Sequence, residues 1–210
     1  PSGALRARDP EVAPSGAALL FVQTHRSMNR LVLAALEEGG ARIRPRVLVP
    51  GEPDVQLASP RFSPRGDRIA VSRFARGRRD IVLYDKSGRL LEEITRDRAQ
   101  DVDPTWSPDG RWLVFASDRS RVYDLYALDT STGDLRRLTH LVTGAFQPSV
   151  SPDGKTLVFR GYTADGFDVF RMPFRPEAAP TVRRALEPPL PPHDLPRVAP
   201  PTHPDPPKPP

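Results

Sequence analysis

Cysteine is absent from the 210-residue chain, and so are long apolar runs. Without cysteine the chain cannot form a disulfide, a thiolate metal site or a cysteine nucleophile. The longest wholly apolar runs, residues 17–22 and 31–36, have six residues each. A helix that crosses a bilayer needs roughly 20. The sequence therefore predicts no membrane span.

Basic and acidic residues are interleaved along most of the chain. There are 31 basic and 26 acidic residues, and 28 of the basic ones are arginines interleaved with aspartate and glutamate. No basic run with interleaved aromatic residues occurs, although such a run is typical of nucleic-acid-binding proteins. We expect no nucleic-acid partner.

One short pattern occurs four times. It reads P-x-[VFW]-[AS]-P-x-G and ends at Gly16, Gly66, Gly110 and Gly154, which are 50, 44 and 44 residues apart. An apolar pair or triplet starts three residues after each glycine. A second apolar segment starts fifteen residues after each glycine, at Leu31, Ile81, Leu125 and Val169. A constant offset over four copies indicates a repeat architecture.

Turn chemistry explains the start of each unit. Serine, proline and glycine at the first, second and fourth positions favour a type I turn with a glycine at positive φ. The predicted turn residues are Ser63, Pro64, Gly66, Ser107, Pro108, Asp109, Gly110, Ser151, Pro152, Asp153 and Gly154. Each unit then contains three further predicted strands, and four strands in about 44 residues are typical of a propeller blade.

The predicted fold class is therefore an all-β propeller of four-stranded antiparallel blades over residues 1–187. We place the blades at about 7–57, 58–101, 102–145 and 146–187, followed by a disordered tail over 188–210, because 12 of the 24 residues from Glu187 onward are proline. Residues 27–39 would also suit a short helix. A strand is favoured because Leu31 lies in register with the other copies.

Residues 102–139 resemble the WD-like β-propeller repeat of TolB and its relatives, through the turn at Ser107–Gly110 and the strands that follow it. The copies near 58 and 146 match well, whereas the first copy lacks the serine and aspartate of the turn. The family also includes tricorn and prolyl-oligopeptidase-type propellers. The resemblance implies a bacterial, periplasmic or secreted propeller.

Propellers of this family commonly have six or more blades, and four are visible here. We expect further blades before Pro1 that complete a six- to eight-bladed ring, with a small closed ring as the alternative. The resemblance implies a non-enzymatic scaffold of the cell envelope that binds a protein or peptide, such as an envelope lipoprotein. The alternatives are the substrate-gating part of a serine peptidase and a carbohydrate-active propeller.

Recognisable catalytic motifs are missing. There is no G-x-S-x-G elbow, no glycine-rich phosphate loop and no H-E-x-x-H pair, and none of the four histidines has metal-ligand spacing to another. We predict no catalytic residue, no metal and no cofactor, unless a catalytic domain lies upstream of Pro1. A carboxylate cluster formed by Asp80, Asp124 and Asp168 is the alternative to three separate loop caps, which the repetition favours.

The prediction of partner-binding residues rests on the distribution of arginine. Loops that join the second and third strands of a blade, and links between blades, open on one face of a propeller. The candidate residues on this face are Arg73, Arg76, Arg78, Arg79, Arg119 and Arg121. They would bind an acidic protein or peptide through guanidinium–carboxylate contacts. The alternative is a solvated surface that Asp97, Asp101 and Asp118 neutralise. The tail could bind an aromatic groove of a partner or act as a spacer.

Overall fold

The computed structural model describes residues 6–36 and 43–187. Within these ranges the structure is all-β, apart from one short 3-10 turn at Pro176–Ala178, which confirms the predicted class. None of the described residues forms a helix long and apolar enough to span a membrane. The strands are β1 (Arg6–Val12), β2 (Ala18–His25), β3 (Met28–Leu36), β4 (Ile43–Val49), β5 (Val55–Phe62), β6 (Arg68–Ala75), β7 (Arg78–Asp85), β8 (Leu90–Glu93), β9 (Asp101–Trp106), β10 (Trp112–Ser117), β11 (Asp124–Asp129), β12 (Leu135–Arg137), β13 (Ala145–Val150), β14 (Thr156–Thr163), β15 (Gly166–Pro173) and β16 (Thr181–Val182).

The strands form four antiparallel sheets, one for each sequence repeat. Blade 1 contains β1–β4, blade 2 contains β5–β8, blade 3 contains β9–β12 and blade 4 contains β13–β15. Within each blade, strands that follow one another along the chain are hydrogen-bonded neighbours. This up-and-down arrangement is that of propeller blades. Strand β3 covers most of the segment that also suited a helix, and residues 37–39 of that segment lie outside the described residues.

In blades 2 to 4 the repeat turn is closed by a bond from the glycine N–H to the serine carbonyl oxygen three residues earlier. These bonds measure 2.8 Å each and join Gly66 to Ser63, Gly110 to Ser107 and Gly154 to Ser151. In blade 3 the hydroxyl of Ser107 donates to Asp109 and accepts the backbone N–H of Trp112 at 2.8 Å. Serine thus fixes both the turn and the first residue of the next strand.

The inner strand of each blade contains a bulge directly before the first proline of the repeat. The residues there have φ near +50° and are Asp9, Ser59, Asp103 and Gln147. The pairing register shifts at the same place in all four blades. The Asp103 carboxylate accepts the Ser59 hydroxyl at 3.0 Å and the Gln147 backbone N–H at 3.3 Å. Inner strands of blades 2, 3 and 4 are therefore tied together by side chains.

Buried side chains fill the space between consecutive blades. Alternate residues of β2, β6 and β10 face opposite neighbours, because side chains alternate along a strand. The cluster between blades 1 and 2 includes Leu20, Val22, Ile69 and Val71; that between blades 2 and 3 includes Leu83, Trp106, Phe115 and Tyr126; that between blades 3 and 4 includes Val114, Leu125, Leu157 and Phe159. Trp106 thus packs between blades, as its place in the repeat suggests.

Blade 4 differs from the prediction of four strands in every copy. Its sheet contains three strands among the described residues, and β16 instead pairs with β12 at the outer edge of blade 3. Phe174 is buried in the cluster between blades 3 and 4, and the turn that starts at Pro176 carries the chain away from β15. The chain is therefore directed back over blade 3. The predicted tail, residues 188–210, lies outside the described residues.

Candidate functional site

The candidate site is the end of the propeller where the β6–β7 hairpin, the β10–β11 loop and the links between blades open. In an antiparallel meander these connections lie at one end of the strands, and the repeat turns lie at the other. The hairpin carries four of the predicted binding arginines, and the β10–β11 loop carries the remaining two. They are Arg73, Arg76, Arg78 and Arg79 on the hairpin, and Arg119 and Arg121 on the loop.

The β6–β7 hairpin has a two-residue turn. Ala75 pairs with Arg78, and the residues between them, Arg76 and Gly77, have φ of 54° and 78°. Two positive φ values are those of a type I′ turn, whose twist matches the twist of the flanking strands. The turn holds Arg76 at an exposed tip.

Two of the hairpin arginines are held in place by neighbouring side chains. The guanidinium of Arg73 lies 3.9 Å from the carboxylate of Glu52 and 4.0 Å from that of Glu93. The guanidinium of Arg79 lies over the ring of Phe74, 5.6 Å from its centre. Such contacts orient a guanidinium while leaving some of its N–H groups available for a further acceptor.

A carboxylate of the chain itself lies on this face. Glu187 is 3.3 Å from Nη1 of Arg78 and 3.5 Å from Nε of Arg98. The backbone N–H of Glu187 donates to the carbonyl oxygen of Arg96 at 2.7 Å, and Nε of Arg96 donates to the carbonyl oxygen of Glu187. The side chain of Arg78 is only 14% exposed. Arg78 of the hairpin and Arg98 of the link between β8 and β9 can therefore hold a carboxylate together.

Two clefts flank the hairpin. One has a volume of about 560 Å³ and is lined by residues 52–55 and 73–77. The other, of about 210 Å³, is lined by Arg73, Ala75, Arg76, Arg78, Asp80, Glu93 and Arg96. Arg78 and Arg96, which both contact Glu187, also line the smaller cleft. The face thus combines guanidinium donors with two depressions that could take side chains of a bound segment.

Arg119 has a different role from the hairpin arginines. It is an internal counter-ion whose guanidinium lies 2.9 Å from the buried carboxylate of Asp101, 3.6 Å from Asp97 and 5.1 Å from the ring centre of Tyr126. Arg121 is exposed in the β10–β11 loop, with φ of 74°. We therefore leave Arg119 out of the proposed binding surface.

Asp124 caps its own loop in blade 3. Its carboxylate accepts four hydrogen bonds, from the Thr139 hydroxyl, the Leu141 backbone N–H, the Ser120 hydroxyl and the Arg137 guanidinium, at 2.8, 3.0, 2.8 and 2.6 Å. Burial pushes the pKa of Asp124 upward, but these bonds outweigh burial and hold the pKa below its usual range. The carboxylate is therefore fully used within the blade.

Asp80, the equivalent residue of blade 2, is less well bonded. Its carboxylate lies 3.4 Å from the hydroxyl of Thr95. Burial, followed by the charge of Asp101, raises the pKa of Asp80 to about 6, although Arg78 opposes this. Asp168, in blade 4, is exposed. Within residues 6–36 and 43–187, no group of three or more His, Cys, Asp or Glu side chains could hold a metal ion.

Glu187 was not predicted from the sequence to lie on this face. The residue was assigned to the end of blade 4, far from blade 2 in the predicted order. One signal was available, since Glu187 is the only acidic residue between Glu177 and Asp194 in a segment with two adjacent arginines. Nothing in the sequence indicated that the segment returns to blade 2.

Among known proteins, this chain is similar to one named as a peptidase and to one named as a Tol-Pal system protein. The chain is 33% identical over 94 residues to the uncharacterized peptidase YuxL of Bacillus subtilis, covering 41% of this chain and 14% of that protein. It is 34% identical over 68 residues to the Tol-Pal system protein TolB of Nitratidesulfovibrio vulgaris, covering 32% of this chain and 15% of that protein. The chain therefore matches less than a sixth of the length of either relative.

The fold is shared with solved propellers. The crystal structure of TolB from Acinetobacter baumannii matches with a TM-score of 0.69 at 19% identity, over 84% of this chain and 42% of that chain. A likeness at this identity shows the fold alone. The family described as the TolB beta propeller domain matches residues 8–182. This match covers most of the sequence and confirms the resemblance of the repeats, so the chain belongs to the TolB beta propeller domain family.

Proposed function

We propose that this chain is a non-enzymatic propeller scaffold of the bacterial cell envelope, in the periplasm or secreted, that binds an acidic segment of a protein or peptide partner. The observation that carries the proposal is the hairpin that places Arg73, Arg76 and Arg78 on the walls of two clefts, with Arg79 next to them on β7. The identity to a protein named for the Tol-Pal system supports an envelope location.

Guanidinium groups suit this task for a physical reason. Each presents several N–H donors in a plane that matches the two oxygens of a carboxylate, and it stays charged at every relevant pH. The hairpin is part of a hydrogen-bonded sheet, so its arginines are already oriented before a partner binds. Clustered positive charge also raises the rate of encounter with an acidic partner at low salt.

The test measures the binding of fluorescently labelled hexaglutamate to the full chain by fluorescence anisotropy. Replacing Arg76, Arg78 and Arg79 together by glutamine should weaken binding about tenfold or more at low salt, because three charge-assisted contacts are lost. The salt dependence of binding should fall at the same time.

The matched control replaces three basic residues at the other end of blade 2, Arg65, Lys86 and Arg89, by glutamine. All three are exposed, and the change in net charge is the same. Equal weakening by both triple variants would show that only net charge matters. Unchanged binding by the hairpin variant would contradict the proposal.

The second candidate function is the substrate-gating propeller of a serine peptidase of prolyl-oligopeptidase or tricorn type. The 33% identity to YuxL favours it. The native protein that contains this chain should be treated with a fluorophosphonate probe, which labels activated serines. Labelling of that protein would favour the peptidase function and contradict the scaffold function, which predicts no labelling.

A further inference from the structure

The segment after β15 returns across two blades. Strand β16 pairs with β12 on blade 3, joining Thr181 to Arg136 and Val182 to Leu135. Further along, Leu186 forms a parallel bridge with Arg96, in the link between β8 of blade 2 and β9 of blade 3. The chain thus reaches the arginine face from the outer edge of the propeller.

Contacts with blade 2 are made mainly through the backbone of the β8–β9 link. The guanidinium of Arg184 donates to the carbonyl oxygen of Ile94 at 3.0 Å from Nε and 2.6 Å from Nη2. Glu187 then exchanges two hydrogen bonds with Arg96, and its carboxylate lies between Arg78 and Arg98. Residues 183–187 therefore lie beside the link, joined to it by one isolated parallel bridge, and end in a carboxylate.

We propose that residues 183–187 are an intramolecular ligand of the arginine face, and that the partner's acidic segment binds in the same way and displaces them. This inference rests on the proposed function. The partner segment is extended, runs parallel to the β8–β9 link, bonds the backbone of Arg96 and places a carboxylate between Arg78 and Arg98. Strand addition supplies affinity through the backbone, and the carboxylate supplies specificity.

The segment is held in a way that allows displacement. Leu186 is 47% exposed and Ala185 is also exposed, so residues 183–187 contribute no fully buried apolar side chain. Strand β16 contains only two residues, and the bridge at Leu186 is isolated. Segments with few buried contacts open at a small fraction of the free energy of global unfolding. Release of this segment therefore leaves the four sheets intact.

Glu187→Gln in the full chain tests the inference with labelled hexaglutamate. When residues 183–187 occupy the site, the apparent dissociation constant equals the intrinsic constant divided by the fraction of molecules in which the site is free. We expect the variant to bind hexaglutamate about fivefold more tightly than the wild type. Glu187→Pro, which also removes the N–H that donates to Arg96, should bind at least as tightly. Glu177→Gln is the control, since this exposed glutamate pairs with Arg111 away from the hairpin.

Trypsin cleavage after Arg184 gives an independent readout of the same event. The side chain of Arg184 is 18% exposed while it is bonded to Ile94. Saturating hexaglutamate should increase the cleavage rate at this site in the wild type, and Glu187→Pro should increase it without peptide.

The two proposals fail in distinguishable ways. If hexaglutamate binds and the hairpin variant weakens that binding, but Glu187→Gln leaves the affinity unchanged and Glu187→Pro leaves the cleavage rate unchanged, residues 183–187 are not an intramolecular ligand and the binding face stands. If hexaglutamate binds to none of the variants, the acidic-segment function is overturned and the inference falls with it.

Discussion

Asp80 is the aspartate on the wall of the smaller cleft, and its charge changes in the physiological range of pH. Burial and the neighbouring Asp101 raise its pKa to about 6, while Arg78 opposes the shift. Asp97 adds a further negative charge. The Thr95 hydroxyl donates to the Asp80 carboxylate at 3.4 Å, which is long for a hydrogen bond between two oxygens. Protonation of Asp80 therefore relieves its repulsion by Asp101, at the start of β9 in blade 3, and by Asp97, in the link between the two blades.

A pH dependence of stability follows from this raised pKa. The folded state holds the proton of Asp80 more tightly than the unfolded state, so this group's contribution to stability is complete below about pH 4 and is lost as the pH rises through 6. About two pKa units correspond to at most about 3 kcal/mol, and partial exposure reduces this to about 1–2 kcal/mol. Asp80→Asn should therefore gain about that much relative to the wild type between pH 4 and pH 8.

Urea unfolding of both proteins at the two pH values measures this difference. Asp168→Asn is the control, because it is the same substitution at the equivalent, exposed position of blade 4. An Asp80→Asn effect on the free energy of unfolding that is equal at pH 4 and pH 8 would show that folding does not raise the pKa of Asp80.

The repeat turn is the element whose role follows most directly from its residues. The Ser107 hydroxyl accepts the buried N–H of Trp112 and donates to Asp109. Ser107→Ala leaves that N–H without its acceptor, which should lower the free energy of unfolding by about 1–2 kcal/mol. Ser149→Ala, at an exposed position of β13, should change it by less than about 0.5 kcal/mol. Equal effects in urea unfolding would contradict the role of the turn.

How far sequence predicts structure differs between these elements. The turns and the strands after them were predictable, because serine, proline and glycine have strong local preferences and each copy repeats them. The placement of β16 was not, because a strand of two residues can pair with any free edge. The choice depends on Pro176, which turns the chain, and on the free edge of β12. The site was predictable as a set of arginines, but neither the burial of Arg119 nor the return of Glu187 was.

At the scale of the whole molecule, the outer faces of blades 1 and 4 are open in the described structure. Leu31, Ile81 and Leu125 are fully buried, whereas Val169, at the same place in the repeat, is 76% exposed. On blade 1, Leu19 and Phe21 line an apolar depression of about 350 Å³. In each contact between blades, one blade presents the kind of face that is open on blade 4, and the next blade presents the kind that is open on blade 1. The two open faces are therefore complementary to one another.

We therefore expect the 210-residue chain to self-associate as its concentration rises. Val169→Asp should reduce this association, because it places a charge on the open face of blade 4. Val142→Asp is the control, since Val142 is 90% exposed in the link between blades 3 and 4 and does not belong to that face. Sedimentation velocity over a range of concentrations measures the effect. A monomer at every concentration would contradict it.

The return of the chain to blade 2 also determines how the molecule would respond to a mechanical load. Tension on the polypeptide beyond Glu187 acts first on the bonds of that residue to Arg96, Arg78 and Arg98, and then on Arg184. Blade 4, although it lies directly before this segment in sequence, is loaded only after β16 has been pulled from β12. A force on the tail would therefore expose the arginine face before it unfolded any blade.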